Sequence, residues 1–551
     1  MKIELIYADG TKFTQELLGE VERIQLTNSK IAETMQIKFA VPIRDMHCVW
    51  TPKSRTPEQK LHWKIDNICA AQSNFPYLCF MRKDQLNTCS IGSSNLIDDT
   101  QIIAQMNQAS GCYNVTITIA LSSSTPDFYL TIDRRAIKWT KVLSDWRDNL
   151  GITKPEFPRS AWKPVFCTWY VVHAALTQKW VEDSAKLAAG LGFGTLIIDD
   201  GWCFDTMKRV SPETIGSWYE MIGDWEVSTA KFPDFAAHVE RVKAMGLKYM
   251  VWVAPFLVGN KSRLFSQIPD ALSHEYIEGA HAFDTSFVAE GKILIKKIAG
   301  LVAQYKLDGL KIDFLDYARP GLKKPSGQNT SNFIRNLSTA IRQENADALI
   351  EFRQSYATPG MMPYATQFRA GDVPFDFMDN FNRLAQIRLS MGDNIPIHAD
   401  PVFWHPDELP ENIARHLIAA LVGVPMLSME LSTLSPVEQN IIRHYLNFYQ
   451  THLELFSMGA WQVEYNLSNI AWISVENSQK KIIFLNDAAR LDQAIAAANS
   501  NQEIYLLNLS EAALEIPGVQ AWDVEGKKSP PDHIVCGGRA KISTNTIRLT
   551  T

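Results

Sequence analysis

The sequence lacks the features that would place it in several large classes of protein. No apolar stretch reaches the ~18 residues needed to span a bilayer, so we expect no membrane partner. Basic runs of the kind that bind nucleic acid are also missing, and 54 Lys and Arg against 60 Asp and Glu leave a formal charge of −6. We therefore expect no general attraction to nucleic acid or anionic lipid.

Cysteine patterns that hold zinc or a disulfide framework are missing as well. The eight cysteines have no C-x-x-C spacing and no paired histidine pattern, and they stand at positions 48, 69, 79, 89, 112, 167, 203 and 536. A zinc cage is therefore not expected, and reduced structural thiols are the simpler interpretation. The N-terminus has the pattern of a strand and a turn, without the apolar core of a secretory signal. Together these absences predict a cytoplasmic protein with no metal and no cofactor.

The chain does have enough apolar material for a large core. Hydrophobic residues make up 46% of it, and its aromatic residues are 26 Phe, 16 Tyr and 15 Trp. At roughly 100–200 residues per domain, the length allows about three to five domains, or one barrel with additions. Aromatic side chains mostly fill cores, but at loop ends they suit flat ligands such as sugar rings.

The character of the sequence changes twice along the chain. Its first part consists of short alternating segments broken by Ser, Asn, Asp and Gly, which predicts a β-sandwich. A Pro-rich linker follows at 154–164, and short strands return near the C-terminus. We therefore predict an N-terminal β-sandwich domain with its linker at 1–155, a barrel at 156–450, and an antiparallel C-terminal β-sandwich domain at 451–551.

Between these outer regions, apolar runs alternate with amphipathic helical patterns. Eight runs have the character of buried strands, at 165–170, 195–198, 248–253, 309–314, 348–352, 367–370, 395–397 and 425–429. Helical patterns lie between most of them, at 177–191, 235–245, 291–305, 331–345 and 412–421. This alternation over about 270 residues predicts an α/β fold, a (β/α)8 TIM barrel. A doubly wound open sheet is the alternative, but no G-x-G-x-x-G follows the first strand.

Acidic residues follow several predicted strands, at the end of a barrel where catalytic groups lie. Lys311 and Asp313 are two apart on one strand, so both should point into the lumen near its rim. A buried ion pair between strands is the structural alternative. Asp199 and Asp200 stand at a strand-to-loop junction before Trp202, where a simple Asp-Gly turn is the alternative.

Three further strand ends carry weaker signals. Arg369 and Asp372 form an R-x-x-D element in a loop, which a surface salt bridge would explain equally well. Trp252 could form the floor of a pocket or part of the core. His398 and Asp400 could hold a metal ion, although a histidine with one carboxylate is more often a hydrogen-bonded pair.

Taken together, these residues favour glycoside hydrolysis. Two separated carboxyl groups on a barrel rim, surrounded by hydroxyl-binding side chains and aromatic rings, are what that reaction requires. One carboxylate must be ionised to attack the anomeric carbon. The other must start protonated, so that it can donate a proton to the leaving oxygen.

Five motifs then follow one another in a characteristic order. They are Ile198-Asp199-Asp200-Gly201-Trp202, Gly223-Asp224-Trp225, Lys231-Phe232-Pro233-Asp234, Gly246-Leu247-Lys248 leading to Trp252, and Lys311-Ile312-Asp313. In this order they resemble glycoside hydrolase family 36, whose best-known members are retaining α-galactosidases. The resemblance covers roughly residues 160–435.

The resemblance assigns catalytic and hydroxyl-binding roles residue by residue. The aspartate of the family's K-x-D motif is the nucleophile, here Asp313, and the lysine, here Lys311, contacts sugar hydroxyls. Asp199 and Asp200 would bind O4 and O6 of galactose.

The resemblance places the acid/base at an aspartate after strand six that a substrate-binding arginine precedes. Asp372 and Arg369 fit that description, and Asp376 and Asp379 are reserve candidates for the acid/base. By the same resemblance, Trp202 and Trp252 would line the pocket. Trp169 also stands at a strand end where a sugar could sit.

The chain departs from the family's pattern at three motifs. W-x-E-P-E becomes Trp252-Val253-Ala254-Pro255-Phe256 and loses both acids. The cysteine-serine-glycine run after strand five becomes Glu351-Phe352-Arg353-Gln354-Ser355-Tyr356, and the W-x-S-D context becomes Phe368-Arg369-Ala370-Gly371-Asp372. These changes bear on the sugar specificity and the acid/base, and they leave the nucleophile motif intact.

We therefore expect a retaining exo-acting α-glycosidase, specifically an α-galactosidase, that acts on oligosaccharides or glycosides through a covalent glycosyl intermediate on Asp313. An α-N-acetylgalactosaminidase, or another α-glycosidase or transglycosylase of the same clan, is the alternative among enzymes of this type. A non-catalytic carbohydrate-binding barrel and a metal-dependent hydrolase that uses His398 and Asp400 are alternatives of other classes. The resemblance also implies that a homo-oligomer could form.

Overall fold

A computed structural model describes residues 1–27, 33–59, 61–498 and 502–542 of the chain. In this part of the chain a β-sandwich is followed by a barrel and then by a C-terminal sheet. No helix among these residues is both long enough and apolar enough to cross a membrane.

Two antiparallel sheets pack face to face in the N-terminal region. One sheet has the strand order β2-β1-β4-β10-β9-β6 and the other the order β3-β11-β8-β7-β5. The strands are β1 (Lys2–Tyr7), β2 (Lys12–Glu16), β3 (Val21–Leu26), β4 (Thr34–Pro42), β5 (Cys48–Trp50), β6 (Lys64–Cys69), β7 (Tyr77–Met81), β8 (Asn87–Ser93), β9 (Thr100–Asn107), β10 (Cys112–Ala120) and β11 (Phe128–Asp133). Alternate residues such as Met35, Ile37 and Phe39 of β4 point into one shared core. The predicted sandwich is confirmed.

A single helix connects the sandwich to the barrel. Helix α1 (Trp139–Asp148) buries Trp139, Leu143 and Trp146 in a cluster that also includes Leu389 of the barrel region. The following Pro-rich segment contains only a 3₁₀ turn, Arg159–Trp162, before the first barrel strand. The sandwich is thereby fixed against the barrel by apolar packing as well as by the chain itself.

Eight parallel strands form the barrel. They are β12 (Val165–Cys167), β13 (Thr195–Ile198), β14 (Lys248–Val253), β18 (Gly309–Ile312), β19 (Leu349–Arg353), β20 (Gln367–Arg369), β21 (Ile397–His398) and β22 (Met426–Leu427). The amide of Val424 donates to the carbonyl oxygen of Ile397 over 2.7 Å, and the amide of Ala399 donates back over 3.0 Å, which closes the ring beside β22. The predicted (β/α)8 barrel is confirmed.

Helices surround the barrel and continue into its loops. They are α2 (Trp169–Val172), α3 (Gln178–Leu191), α4 (Phe235–Ala244), α5 (Arg263–Gln267), α6 (Val288–Tyr305), α7 (Gly327–Glu344), α8 (Phe377–Met391), α9 (Pro410–Ala420), α10 (Pro436–Thr451) and α11 (Leu453–Met458). Three short strands in the loop after β14 form a separate small sheet, β15 (Leu257–Gly259), β16 (Leu272–Ile277) and β17 (Ala280–Phe283). The first barrel strand is shorter than its apolar run predicts, because the chain turns into α2 at Trp169.

The period of two along each strand separates an apolar floor from a charged mouth in the lumen. Val165, Ile197, Met250, Leu349 and Met426 pack together inside the barrel. Two residues further along two of these strands, charged residues follow at the carboxyl end, namely Asp199 after Ile197 and Glu351 after Leu349. This is the end of the barrel at which the predicted site residues stand.

The C-terminal region is a six-stranded sheet of order β23-β24-β25-β26-β30-β28 with a two-stranded ribbon, β27 and β29. The elements are β23 (Ala460–Asn466), β24 (Asn469–Glu476), β25 (Lys480–Leu485), α12 (Leu491–Ala496), β26 (Glu503–Asn508), β27 (Leu514–Glu515), β28 (Gln520–Trp522), β29 (His533–Ile534) and β30 (Arg539–Ile542). Pairing is antiparallel throughout except between β25 and β26, which run parallel because the chain crosses over through α12. The sequence predicts a sandwich here, whereas the described residues form one main sheet with a ribbon against it. The three domain boundaries stay predictions.

Both faces of that sheet are buried. Ile482 and Phe484 of β25 face the large core of the barrel, whereas their neighbours Ile483 and Leu485 pack with the ribbon.

All eight cysteines of the chain are free thiols, as the sequence predicts, and five of them are buried.

Gly309 offers a test of how tightly the barrel strands approach one another. A Cβ at this position would lie 2.1 Å from the carbonyl oxygen of Leu349 on the adjacent strand. We expect Gly309→Ala to lower the free energy of unfolding by about 1–3 kcal/mol in urea titrations, because backbone must move to accept the methyl group.

The matched control is Gly300→Ala in helix α6, where nothing lies within 4 Å of an added Cβ. That variant should gain about 0.5–1 kcal/mol from helix propensity. Equal stability of Gly309→Ala and the wild type would contradict the close approach of β18 and β19.

Candidate active site

The carboxyl ends of β13, β18, β19 and β20 bring the predicted site residues together. Lys311 lies beside Glu351 in the strand register, and Glu351 lies beside Gln367. Since side chains two residues apart share a side, Asp313, Arg353 and Arg369 are all directed to the mouth of the lumen.

Asp313 is held at both of its carboxylate oxygens. Its Oδ2 accepts a hydrogen bond from the indole N–H of Trp252 over 3.1 Å, and its Oδ1 accepts one from the backbone N–H of Phe314 over 2.8 Å. The guanidinium of Arg353 also donates to Oδ1. Phe314 has a φ of 57°, in the left-handed region that an aromatic residue rarely adopts, so the backbone beside Asp313 is strained.

Positive charges keep Asp313 ionised. Burial alone would raise its pKa, but Arg353, Lys311 and Arg369 outweigh that effect and hold the pKa well below its ordinary value. An ionised, oriented carboxylate in a nearly dry site is suited to act as a nucleophile.

Lys311 and Asp199 form a buried ion pair across the lumen. The ammonium nitrogen of Lys311 lies 2.5 Å from Oδ2 of Asp199, and each side chain is less than 5% exposed. Burial would lower the pKa of Lys311, but the charge of Asp199 raises it above its ordinary value. The hydroxyl of Thr168 accepts from the backbone N–H of Asp199 and so fixes the strand end.

Asp200 is buried beside this pair and retains an unused acceptor. The indole N–H of Trp218 donates to its Oδ2 over 2.5 Å, while its Oδ1 has no hydrogen-bond partner among the described residues. Burial raises the pKa of Asp200 to about 7. A buried acceptor without a partner costs free energy, and a ligand hydroxyl at this position would remove that cost.

Arg369 lies at the centre of the acidic side chains. Its guanidinium is 2.9 Å from Oδ1 of Asp372 and 4.0 Å from Oδ2 of Asp313, and it also donates to Asp400. Its Nε is buried, forms no hydrogen bond within the part of the chain that the structure describes, and lies 3.8 Å from Oε1 of Glu351. The two predicted catalytic carboxylates thus face one guanidinium.

Asp372 is the accessible member of that pair, since its side chain is 56% exposed. Burial of its surroundings would raise its pKa, but Arg369 and Arg353 lower it below the ordinary value. Asp372 is therefore ionised here, whereas a general acid has to carry a proton at the start of the reaction.

A cavity of about 440 Å³ opens at this end of the barrel. Asp372, Asp316 and Arg353 line its inner wall, while Asp313 does not reach it. Arg353 therefore stands between the cavity and Asp313. Burial raises the pKa of Asp316, which also accepts a hydrogen bond from the hydroxyl of Ser355 over 3.3 Å.

Two of the predicted tryptophans are almost completely buried. Trp252 contacts Asp313 directly, and Trp202 donates its indole N–H to the carbonyl oxygen of Trp252 over 2.8 Å. Trp202 therefore supports Trp252 from behind, and neither ring offers an open face to a sugar. Trp169 is half-buried and packs against Trp218 with ring centroids 5.9 Å apart.

The reserve acids Asp376 and Asp379 have structural partners. Asp376 caps helix α8 by accepting from the backbone N–H of Asp379, and Asp379 pairs with Arg55 at 2.6 Å and Arg383 at 3.1 Å. Neither is needed to explain the carboxyl groups at the mouth of the barrel.

His398 and Asp400 each have protein partners of their own. A ring nitrogen of His398 lies 2.8 Å from the carbonyl oxygen of Ala161, and the other lies 3.3 Å from Glu351. Asp400 accepts from the hydroxyl of Tyr170 over 2.8 Å. Across the described residues, no cluster of three or more His, Cys, Asp or Glu side chains is arranged to hold a metal ion.

Arg353, Trp218, Asp316 and Tyr170 complete the site, and sequence reasoning assigned no role to any of them. Arg353 could have been found from the period of two, because it stands two residues after Glu351 on the same strand. Trp218 and Asp316 lie in loops, where the sequence carries no comparable signal.

Comparisons with known proteins agree with the motif order. The family model described as Melibiase matches residues 147–285. "Alpha-galactosidase 2" of Pediococcus pentosaceus is 24% identical over 387 residues, which are 66% of this chain and 51% of that protein. The chain spans about half the length, or less, of the first curated relatives it matches.

Solved structures share the fold at low sequence identity. The GH36 α-galactosidase AgaA of Geobacillus stearothermophilus matches with a TM-score of 0.64 and 14% identity, over 86% of this chain and 71% of that one. The α-galactosidase of Thermus thermophilus, in complex with p-nitrophenyl α-D-galactopyranoside, matches with a TM-score of 0.59 and 15% identity, over 86% of this chain and 98% of that one. The resemblance to glycoside hydrolase family 36 predicted from the motifs is confirmed.

The raised pKa of Asp200 predicts a pH dependence of stability. Burial moves its pKa from 3.8 to about 7, so between these values the folded protein binds more protons than the unfolded chain. Stability that depends on Asp200 is therefore lost as the pH rises from about 4 to 7. At about 1.4 kcal/mol per pKa unit, we expect Asp200→Asn to remove up to about 4 kcal/mol of that loss.

Urea unfolding of wild type and Asp200→Asn at pH 4.5 and pH 8 measures this difference. Asparagine keeps an acceptor for Trp218, so the fold is retained. The control Asp407→Asn changes a side chain that is 92% exposed, and its pH dependence should match that of the wild type. A constant difference between Asp200→Asn and wild type at both pH values would contradict the buried, protonated carboxyl.

Proposed function

We propose that this chain is a retaining exo-acting α-galactosidase that hydrolyses terminal α-galactosides of oligosaccharides. Asp313 would be the nucleophile and Asp372 the acid/base. The proposal rests above all on the shared contact of these two carboxylates with Arg369, next to the buried Asp199–Lys311 pair. The names of the curated relatives support the same substrate class.

The reaction would proceed in two displacements. An oxygen of Asp313 forms a bond to the anomeric carbon while the bond from that carbon to the leaving oxygen breaks, and the leaving oxygen takes the proton of Asp372. In the second step Asp372, now ionised, takes a proton from water. The water oxygen bonds to the anomeric carbon as the ester to Asp313 breaks.

The glycon would lie at the carboxyl ends of β13 and β18. Asp199, Asp200 and Lys311 offer fixed, buried partners for sugar hydroxyls. Oδ1 of Asp200, which has no partner among the described residues, can accept a hydrogen bond from one of those hydroxyls. The indole of Trp252 is buried and would act on the sugar only through Asp313, which it orients. Hydrogen bonds formed in such a dry site discriminate strongly between a ligand that has the hydroxyl and one that lacks it.

Asp372 must gain a proton before the first displacement. Its half-exposed position gives it access to solvent, and a leaving group that separates it from Arg369 would raise its pKa. Asp316 is the second carboxyl on the same cavity wall, and its pKa is already raised by burial. We assign the acid/base to Asp372 because Asp372 shares Arg369 with the nucleophile.

We also propose that the protein functions in the cytoplasm. Its eight free thiols, five of them buried, suit a reducing compartment.

Azide rescue of two variants tests the assigned roles. Asp372→Gly should turn over aryl α-galactosides 10²-fold more slowly or worse. Added azide should then restore the rate of phenol release, with α-galactosyl azide as the product. In Asp313→Gly azide would take the place of the missing carboxylate on the opposite face, so the product should be β-galactosyl azide. The anomers are identified by NMR of the products.

The matched control is Asp316→Gly, which removes the other carboxyl of the same wall. Azide should not accelerate that variant. If azide rescued Asp316→Gly and left Asp372→Gly inactive, the acid/base would be Asp316. Full activity of Asp313→Gly without azide would contradict the nucleophile.

The charge of Arg353 should determine where the acid limb lies in the pH profile of kcat/KM. Its guanidinium is the largest of the charges that lower the pKa of Asp313, so Arg353→Met should raise that pKa and shift the acid limb of kcat/KM upward by about one pH unit or more. The control Arg383→Met lines the same cavity but pairs with Asp379, and its acid limb should stay in place. An unchanged limb in Arg353→Met would contradict the electrostatic role.

A further inference from the structure

The cavity in front of Asp372 has two walls of different origin. Its inner wall comes from the barrel and carries Asp316, Asp372 and Arg353. Its outer wall comes from the loop after β5 in the sandwich and from helix α8, and it carries Lys53, Arg55 and Arg383.

The outer wall has a surplus of positive charge. Arg55 and Arg383 share a single carboxylate, that of Asp379. Lys53 is exposed and forms no ion pair within 4.0 Å of any described residue, and the acid that its charge reaches, Asp66 of β6, lies outside the cavity and is paired with Lys64. Three cations therefore face one carboxylate, so the wall carries two positive charges that no acid at the wall balances. The charge of Arg353 is not part of that surplus, since Asp313 and Asp316 compensate it.

The same cavity offers little to a neutral sugar ring. Among the residues that line it, Phe75 is the single aromatic side chain. That ring is stacked on Trp146 with centroids 5.5 Å apart, so one of its faces is already covered. Sugar rings commonly pack on open aromatic faces, whereas anionic groups are bound by converging cations.

The position of the cavity determines which part of the substrate would enter it. Asp372 lines it and would protonate the leaving oxygen, whereas the proposed glycon partners Asp199, Asp200 and Lys311 do not line it. The cavity therefore lies on the leaving-group side of the scissile bond.

We propose that this cavity is a subsite for a leaving group that bears an anionic substituent, a carboxylate, sulfate or phosphate ester, which Lys53 and Arg383 bind. The assignment rests on the proposed glycosidase function and specifies its substrate class as acidic glycosides. Arg55 keeps Asp379 paired when Arg383 turns to the ligand.

Two aryl glycosides that differ in one charge test the subsite. These are 4-carboxyphenyl α-D-galactopyranoside and its methyl ester, and the quantity measured is the ratio of their kcat/KM values. Lys53→Met and Arg383→Met should each lower this ratio by about three- to fivefold, as expected for a partly exposed ion pair. Comparing ratios between variants cancels the intrinsic difference between the two leaving groups.

The matched control is Lys186→Met, which removes one exposed lysine of the outer barrel helix α3. Its ratio and its activity should equal those of the wild type. The 4-sulfate and 4-phosphate analogues of the glycoside then identify which anion is preferred, by the largest ratio to the neutral ester.

If the ratio is the same in wild type, Lys53→Met and Arg383→Met, the subsite is overturned. Hydrolysis of the methyl ester in that case still supports the proposed function. Failure of the wild type to hydrolyse either glycoside would contradict the proposed function instead. Calorimetric titration of wild type and Lys53→Met with the same two glycosides then decides the subsite without turnover. Tighter binding of the carboxylate that is lost in Lys53→Met supports the subsite, and equal affinities overturn it.

Discussion

The buried charges in the mouth of the barrel are the constraint on which the rest of the site depends. Removing a single ion from water costs several kcal/mol, which only close and well-oriented partners offset. Here Lys311 forms an ion pair with Asp199, and Arg353 forms one with Asp313. Arg369 forms ion pairs with several acids. These cations hold Asp313 ionised as well as in position, and the loss of one would leave its partner buried and unpaired.

Much of this arrangement follows from the alternation of side chains along parallel strands. The eight apolar runs predicted the barrel, and the spacing of Lys311 and Asp313 predicted that both would face the lumen. These inferences succeed because strand geometry fixes the direction of a side chain from its position alone. The same alternation carries Glu351 and Arg353 to the same side of β19, but it does not indicate that Arg353 pairs with Asp313 of the neighbouring strand, because that contact depends on the side-chain conformation of a long arginine.

Other features of the site could not be predicted, because they depend on how loops and domains meet. Trp218 reaches Asp200 from a long loop after β13, and the depth of Trp202 behind Trp252 follows from packing in that region. Lys53 is remote in sequence from the barrel and reaches the cavity because its loop contacts α8, where Asp379 pairs with Arg55 and Gln386 donates to the carbonyl oxygen of Pro52. A single sequence contains no local pattern that predicts contacts of this kind.

The C-terminal sheet has a consequence for the unfolding of the chain. Alternate residues of β25 are buried against the barrel on one face and against the ribbon on the other. Separation of the sheet from the barrel would expose apolar surface on both partners to water. We therefore expect the barrel and its C-terminal sheet to unfold together as one cooperative unit.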